Sequence, residues 1–398
     1  MVINKHRLTL QGQDKSNTII DGGNGNKPII IVNADNVTIR NFTIRNAGIE
    51  YDSFGVHLNY SKNAYLSDNI FSGNRYSIRA MYSFNITVKS STFSGDTGGA
   101  AILAGDSQTG LVEKCTMNGS TVGVFLINST NVTVRSNMFY SSVLAGITVA
   151  TSQPVWIVAN TFTFDNTSIS IKYKGGNTVV GNTISNSRTA GLQLQSSTGN
   201  VIHHNNFINN TEQVKFVSTP TVNSWNTSGD LSEGNYWSDY TGTDTDKNGI
   251  GDQWYNIATG NIDARPLIGP FQEFTVGSQT GPRKVYTVSN SVISGFSFNQ
   301  AAKQINFQVS GANGTLGICR VVFPTDLIES PYTVFVNWQS QVHGAVYNFT
   351  HVAIYFSYTH GTQASNIIVV PEFPIVLLLP FFALLTLLIA VLKRKKKI

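Results

Sequence analysis

The sequence is poor in charge and in helix-favouring runs. Only 12% of its 398 residues are Asp, Glu, Lys or Arg, whereas Asn, Thr, Ser, Val and Ile dominate. These residue types favour strands and turns over helices. We therefore predict an all-β fold.

What basic charge there is lies at one end of the chain. The formal net charge is +5 at pH 7, and the cluster from Lys393 to Lys397 accounts for that excess. The rest of the chain is near neutral, which argues against a nucleic-acid partner.

Cysteine is also scarce. Cys115 and Cys319 are the two cysteines of the sequence, and we expect them in different domains without a disulfide. Cys115 falls in a small-residue position of the repeat described next, where we predict a buried core filler.

A repeat of about 22–23 residues runs through the first half of the chain. It contains eight nine-residue segments, from "NVTIRNFTI" at Asn36 to "GNVIHHNNF" at Gly199. The fourth position is aliphatic: Ile39, Leu66, Val88, Val112, Val134, Ile157, Val179 and Ile202. The ninth is large and apolar: Ile44, Phe71, Phe93, Met117, Phe139, Phe162, Ile184 and Phe207. The seventh is mostly small or amide: Phe42, Asn69, Ser91, Cys115, Asn137, Asn160, Asn182 and Asn205.

A second strand precedes each segment, with two apolar residues on one side of it. The pairs are Ile29/Ile31, Val56/Leu58, Ile78/Ala80, Ile102/Ala104, Val124/Leu126, Ile147/Val149, Ile169/Ile171 and Leu192/Leu194. Because side chains alternate along a strand, each pair faces inward and the residue between its members faces outward. The repeat predicts a right-handed parallel β-helix of about 9–10 coils over residues 1–230.

The remaining chain changes character twice. Residues 231–272 follow the last coil and are expected to cap it, and residues 273–368 alternate in the manner of a small β-sandwich. Residues 375–392 are uncharged and apolar. As a helix they would span about 27 Å, close to a bilayer core.

Two stretches carry a resemblance to known proteins: "TIIDGGN" near the start and "GNYWSDYTGTDTDKNGIGD" near residue 240. From residue 4 to about 270 the chain resembles the carbohydrate-binding and sugar-hydrolase β-helix group, and more narrowly its NosD-like, periplasmic copper-binding type. "NGTLGICRVVFPTDLI" resembles a module of archaeal surface proteins. "VVPEFP", within a linker at 369–374, resembles a PEF-type sorting signal, which implies processing by a sortase-like protease or simple anchoring.

These features predict a cell-surface protein held by one C-terminal transmembrane helix. The basic tail, residues 393–398, would stay cytoplasmic and the body would lie outside. That topology needs an export signal, which "MVINKHRLTLQGQD" lacks, so we expect a misplaced start or a lost N-terminal piece. A tail-anchored protein with a cytoplasmic body is the alternative.

The outward columns show few groups for catalysis. No column carries paired carboxylates, and we expect Asp68, Asp96, Asp106 and Asp165 to be solvated acids at turns. His57 and Arg79 share an outward column one coil apart, with Asn59 nearby, so a sugar or uronate could bind there. Tyr65 or Trp156 would offer a stacking face. An ordinary polar stretch of solenoid is the alternative.

The resemblance to copper-binding proteins prompts a search for soft ligands. His203 and His204 are neighbours on a strand and should point to opposite faces. Met117 falls in the core column, and no cluster of Met, Cys or His stands out. We therefore predict no copper site.

One acidic loop has calcium-type spacing. In "GTDTDKNGIGD" the positions 1, 3, 5, 7 and 9 of an EF-hand-like loop are Asp244, Asp246, Asn248, Ile250 (through its carbonyl) and Asp252. The pattern departs at position 12, where Tyr255 replaces the bidentate Glu. A structural Ca²⁺ site is the favoured interpretation, and a metal-free Asx turn is the alternative.

Three functions stay open. The favoured one is a non-catalytic surface protein that presents an extended face to glycans or cell-envelope partners. A polysaccharide lyase or hydrolase of the same fold is the second. A maturation factor for an exported copper enzyme, implied only by the NosD-like resemblance, is the third.

Overall fold

The computed structural model describes residues 1–96 and 98–372. Contacts divide the chain into two compact units, Met1–Gln272 and Glu273–Ile398. Among the described residues, no helix is long and apolar enough to cross a bilayer. The predicted membrane helix at 375–392 and the basic tail at 393–398 lie outside the described residues.

Three parallel sheets form the first unit. The first contains the strands Val2–Ile3, Ile30–Val32, Phe54–Asn59, Tyr76–Met81, Ala100–Gly105, Val122–Ile127, Ala145–Ala150, Thr167–Lys172, Ala190–Gln195 and Val214–Phe216. The second contains Thr9–Gln11, Thr38–Arg40, Tyr65–Ser67, Phe84–Lys89, Gln108–Glu113, Thr130–Arg135, Val155–Val158, Thr178–Val180 and Val201–His203. The third contains Ile19–Asp21, Thr43–Gly48, Ile70–Asn74, Thr92–Ser94, Thr116–Asn118, Met138–Tyr140, Thr161–Thr163, Thr183–Ser185, Asn206–Ile208 and Tyr236–Trp237.

The chain visits the three sheets in turn, and each strand pairs with its equivalents in the coils before and after. Val56 lies opposite Ile78, for example, and Ile78 lies opposite Ile102. This register confirms the predicted parallel β-helix. Since each coil buries its apolar columns only against its neighbours, stability depends on the stack as a whole.

The predicted inward columns form the core. Every residue of the fourth, seventh and ninth positions is buried. Phe139 and Phe162 stack with ring centroids 4.7 Å apart and planes 7° apart, and Phe71 and Phe93 stack in the same way. Cys115 is buried and free, as its position predicted.

The inward pair of the first repeat was predicted wrongly. Ile30 and Val32, not Ile29 and Ile31, lie opposite Val56 and Leu58, and both are fully buried. Ile31 instead pairs with the outward-facing His57. The spacing to the next segment is 27 residues here, against 22–24 later, so counting back from Asn36 gives the wrong phase.

The corners of the solenoid use left-handed backbone. One column of positive φ lies between the first and second sheets: Tyr60, Tyr82, Asp106, Asn128, Thr151, Tyr173 and Ser196. Another lies between the second and third: Asn41, Asp68, Ser90, Lys114, Ser136, Ala159, Gly181 and His204. These residues let the chain turn without interrupting the stacked strands.

Buried asparagines satisfy the backbone next to the corners. The side-chain oxygen of Asn160 accepts a 3.0 Å bond from the N–H of Asn137 one coil earlier, and its amide donates to the carbonyl of Val134. The same arrangement continues through Asn182, Asn205 and Asn235. We call this column of hydrogen-bonded asparagines a ladder. A second ladder runs through Asn177, Asn200 and Asn223.

Both ladders end on one hairpin, formed by Tyr255–Ala258 and Asn261–Asp263. Asn261 accepts from the N–H of Asn223 at 3.1 Å, and Asp263 accepts from the N–H of Asn235 at 2.7 Å. Before this hairpin, Tyr236–Trp237 still pairs with the third sheet. The solenoid therefore extends past residue 230, because Trp237 stacks on Phe207 of the preceding coil.

Two antiparallel sheets form most of the second unit. In spatial order, one contains Phe271–Ser278, Gly281–Ser289, Leu316–Pro324, His351–Thr359 and His343–Tyr347. The other contains Val292–Asn299, Gln304–Ser310, Ser365–Pro371, Tyr332–Val336 and Gln339–Gln341. Both contribute to one apolar core that includes the buried Cys319. The last strand runs into the segment predicted as a linker, because Val369 is buried and pairs with Ile305 and Val334.

Candidate functional site

Arginines and aromatic rings gather on the outward face of the first sheet, in the third and fourth coils. We call Tyr51, Phe54, His57, Arg75, Tyr76 and Arg79 the arginine–aromatic cluster. His57 and Arg79 are register partners on the neighbouring strands Phe54–Asn59 and Tyr76–Met81. This is the adjacency that the repeat predicted for them.

The two guanidinium groups of the cluster lie against ring faces. That of Arg79 is 4.8 Å from the ring centroid of Phe54 and 5.9 Å from that of Tyr51. That of Arg75 is 5.8 Å from Tyr76 and 5.9 Å from Tyr51, and its Nη1 donates to the carbonyl of Ile49. Rings hold both cations by cation–π attraction without neutralising them.

His57 is held in its neutral form. Burial lowers the pKa of its imidazole, the neighbouring Arg79 lowers it further, and Asp52 opposes both effects. The ring packs edge-on against Phe54 at 5.1 Å, and its buried Nε2 has no hydrogen-bond partner among the described residues. Of the register partners His57 and Arg79, Arg79 therefore carries the positive charge.

The other predicted ligand-binding residues divide between two faces. Asn59 lies on the same strand as His57 and pairs with Met81. Tyr65 and Trp156 lie on the second sheet, four strands apart. The structure does not bring them together with Arg79 on one sheet, because a corner follows Asn59 and turns the next strand onto another face. Their part in ligand binding stays a prediction.

Sequence reasoning missed Tyr51, which lies beside Arg79, and two tyrosines at the corner that follows these strands. Tyr51 is in the loop before the strand, outside the repeat columns, and Tyr60 and Tyr82 are at the left-handed corner. The last two rings stack 4.9 Å apart and are mostly exposed. The sequence contained one signal, because Tyr60 and Tyr82 recur at the 22-residue spacing of the repeat.

Two acids predicted to be solvated are buried instead. Asp96 and Asp165 are both 0% exposed, because they occupy a corner column that carries Asn74 and Asn210 in other coils. Burial raises the pKa of Asp96 to about 7 and that of Asp165 to about 6. They replace ladder amides and face the interior, away from any substrate.

The loop at 242–252 is closed by its own hydrogen bonds. The carboxylate of Asp244 accepts from the N–H groups of Asn248 at 3.0 Å and Gly249 at 2.9 Å. Asn248 accepts from the N–H of Ile250, and Asp246 accepts from the Asn248 amide. Asp252 turns toward Thr245, accepting from its N–H and hydroxyl. The bond from the N–H of Ile250 to Asn248 has the spacing of an Asx turn; the predicted Ca²⁺ stays a prediction.

Tyr255, at the position that departs from the calcium pattern, has another partner. Its ring stacks on Trp237 at 4.4 Å, and its hydroxyl donates to Asp239.

Burial raises the pKa of Asp244 to about 6, and the adjacent Asp246 adds to that effect. Any cation bound here would compete with a proton on Asp244.

His203 and His204 touch, contrary to the expectation that they face apart. Their Nδ1 atoms are 2.9 Å apart, and His204 Nε2 lies 2.7 Å from the buried carboxylate of Glu233. His204 has φ of 55° at a corner, which breaks the alternation of a strand. Burial lowers the pKa of the His203 imidazole to about 4, and the neighbouring His204 contributes to this decrease.

These side chains do not form a copper site of the usual kind. Copper takes clustered imidazole, thiolate or thioether ligands. Within residues 1–96 and 98–372, no three His, Cys, Asp or Glu side chains come together as a metal-binding group. We therefore derive no chemistry through copper.

Comparison with known proteins gives the family. The sequence model described as "Periplasmic copper-binding protein (NosD)" matches residues 3–111 and 100–242. The chain belongs to the NosD family. This NosD-family chain is 40% identical over 88 residues to the Probable ABC transporter binding protein NosD of Pseudomonas aeruginosa, covering 22% of this chain and 19% of that protein. The protein of the same name from Stutzerimonas stutzeri is 39% identical over 87 residues, covering 21% and 19%. The chain thus spans about a fifth of the length of the curated relatives it matches.

Two solved structures align with parts of the chain. The A-module of the Azotobacter vinelandii mannuronan C-5 epimerase AlgE6 aligns with a TM-score of 0.49 at 14% identity, covering 59% of this chain and 74% of that one. A double mutant of the periplasmic alginate epimerase AlgG aligns with a TM-score of 0.44 at 16% identity, covering 47% and 49%. At these identities and TM-scores the alignments carry no conclusion about this chain.

Proposed function

We propose that this NosD-family chain is a non-catalytic β-helix protein that binds acidic glycans at the arginine–aromatic cluster. The observation that carries the proposal is the state of Arg79. Its guanidinium rests on the Phe54 ring beside a neutral His57. None of the ion pairs found among the described residues involves it.

A guanidinium held in this way suits a uronate. Its planar fork can donate two parallel hydrogen bonds to one carboxylate, and the exposed ring of Tyr51 offers an apolar face beside it. Glu50 and Asp52 flank Tyr51. These two acids disfavour a ligand of high charge density and favour a glycan whose carboxylates are widely spaced.

The same face supports binding over cleavage. Glycoside hydrolysis uses two carboxyl groups about 5–9.5 Å apart. The outward column that continues from His57 and Arg79 is Leu103, Phe125, Thr148, Ser170, Gln193 and Lys215. The column through Asn59 is equally free of acids: Met81, Gly105, Ile127, Ala150, Lys172 and Gln195.

The proposal places the solenoid outside the cytoplasm, where glycans and cell-envelope proteins are the partners within reach. The family description, periplasmic, supports this location. The apolar segment at 375–392 and the basic run after it support attachment to a membrane.

Binding of an oligogalacturonate to the full chain tests the proposal, with the carboxyl-reduced oligosaccharide as the comparison ligand. Arg79→Ala should weaken oligogalacturonate binding about tenfold, or 1.4 kcal/mol, and abolish the preference for it. Arg40→Ala is the control, because Arg40 is exposed on the second sheet and its side chain bonds to Gln11. Equal binding of both ligands, or no effect of Arg79→Ala, contradicts the proposal. Shortening of the polymer would favour the enzyme alternative.

A further inference from the structure

The second unit carries a tryptophan where turn geometry favours glycine. Asn337 and Trp338 form the two-residue turn between Tyr332–Val336 and Gln339–Gln341, with Val336 opposite Gln339. Their φ angles are 50° and 67°. Such turns favour Asn followed by Gly, because both residues need positive φ. A bulky residue at the second position is sterically costly.

Burial does not explain this choice. The Trp338 side chain is 76% exposed, so it contributes little to the core. A large aromatic ring that is both exposed and held on unfavourable backbone points to a role outside the fold.

A cavity of about 430 Å³ lies beside Trp338, and amides line it. Gln304, Asn306 and Gln308 alternate along one strand, so all three side chains face the same side of the sheet. Asn366 is the register partner of Gln308 on the next strand. None of the lining residues is charged.

The amides are held in place but keep bonding capacity. Gln308 donates to Asn366 at 3.1 Å, and Gln304 donates to Asn306. A primary amide has two donor hydrogens and two acceptor lone pairs, so these bonds leave further donors and acceptors among the residues that line the cavity. Asn337 fixes the turn against the same strand, since it accepts from the N–H of Asn366 at 2.9 Å and donates its own N–H to the Asn366 carbonyl.

We propose that this surface binds a neutral oligosaccharide, with Trp338 packing against a sugar ring and the four amides bonding to hydroxyl groups. Amides match hydroxyls because both donate and accept hydrogen bonds. A site without charge would leave a bound carboxylate unpaired, so a neutral glycan fits better than a uronate. This proposal does not rest on the acidic-glycan site, which lies in the other unit and depends on Arg79.

The decisive variant is Trp338→Gly in the full chain. Gly is the residue that this turn favours, so the variant should unfold at the same or a higher temperature. Binding is measured by titration and by tryptophan fluorescence against gluco-, manno- and galacto-oligosaccharides. We expect one of them to bind, Trp338→Gly to weaken that binding at least about tenfold, and Trp338→Tyr to retain most of it.

Two further variants complete the test. Gln308→Ala should weaken the same interaction, whereas Phe349→Ala should leave it unchanged, because Phe349 is fully exposed and lies outside the cavity. The proposal is overturned if no neutral oligosaccharide binds, or if binding survives Trp338→Gly. It is also overturned if oligogalacturonate binds in a Trp338-dependent manner.

Discussion

The hydroxyl of Ser77 donates a 2.6 Å hydrogen bond to Oδ1 of Asp96, and both side chains are completely buried. Ser120 makes a longer bond, of 3.4 Å, to the other carboxyl oxygen. Because burial raises the pKa of Asp96 to about 7, the folded chain holds this proton more tightly than the unfolded chain does. Stability should therefore fall as pH rises from about 4 to about 7, and level off above that range.

Asp96→Asn removes the part of this pH dependence that Asp96 contributes. Asn has the same shape, and Asn74 and Asn210 already occupy the equivalent corner. We expect the variant to equal the wild type near pH 4 and to be more stable, on the order of several kcal/mol, above pH 7. Calorimetry across that pH range measures the difference in stability between the variant and the wild type. Asp68→Asn, at an exposed corner, is the control. A loss of stability at pH 8 in Asp96→Asn would show that the carboxylate is favourable.

Asn160→Ala should destabilise the solenoid by at least about 2 kcal/mol, because it leaves the N–H of Asn137 and the carbonyl of Val134 buried without partners. Chemical denaturation measures the change. Asn118→Ala, on an exposed side chain of the same type, should stay within about 0.5 kcal/mol. Equal effects of the two substitutions would mean that the ladder contributes no more than a surface asparagine.

Gly146→Ala should cost about 1–3 kcal/mol. A methyl group there would lie 2.8 Å from the Ser168 carbonyl and 2.8 Å from the Phe162 ring. Gly110→Ala is the matched control, because its nearest neighbour would be Val132 at 3.6 Å. The melting temperatures of the two variants are compared by thermal unfolding. Similar melting temperatures would refute close packing of the first sheet over the phenylalanine stack.

The calcium prediction for the 242–252 loop has a pH signature. Because burial raises the pKa of Asp244 to about 6, Ca²⁺ would have to displace a proton below that pH. Millimolar Ca²⁺ should therefore raise the melting temperature at pH 7.5 and raise it less at pH 5. Asp244→Ala with Asp246→Ala should abolish the shift. If the melting temperature of the wild type responds neither to Ca²⁺ nor to chelator, the alternative of a metal-free Asx turn is supported.

The core of the solenoid could be predicted because its signal repeats. Ile39, Asn137 and Phe162 each belong to a column that recurs in every coil, so errors at one coil are corrected by the others. The period of two along each strand then assigns inward and outward faces. The adjacency of His57 and Arg79 follows from that same register.

The side chains that sequence reasoning placed wrongly or missed do not follow the repeat. His204 stands at a positive φ, where alternation fails and its ring turns toward His203. Tyr51 lies in an insertion between coils, outside every column. Asp96 has the residue type of a solvated turn and the position of a ladder amide. In each case tertiary neighbours, which a single sequence does not display, decide where the side chain lies.

The asparagine ladders give the solenoid a direction, since each amide completes the backbone of the coil before it and relies on the coil after it. The last coil has no successor, and Asn261 and Asp263 take that place. The hairpin of Tyr255–Asp263 therefore caps the end of the solenoid. Without it, the final coil would offer the same unfinished surface that every coil offers to the next. Two such molecules would then be able to join end to end, so this hairpin sets the length of the stack and keeps it from continuing into a neighbouring molecule.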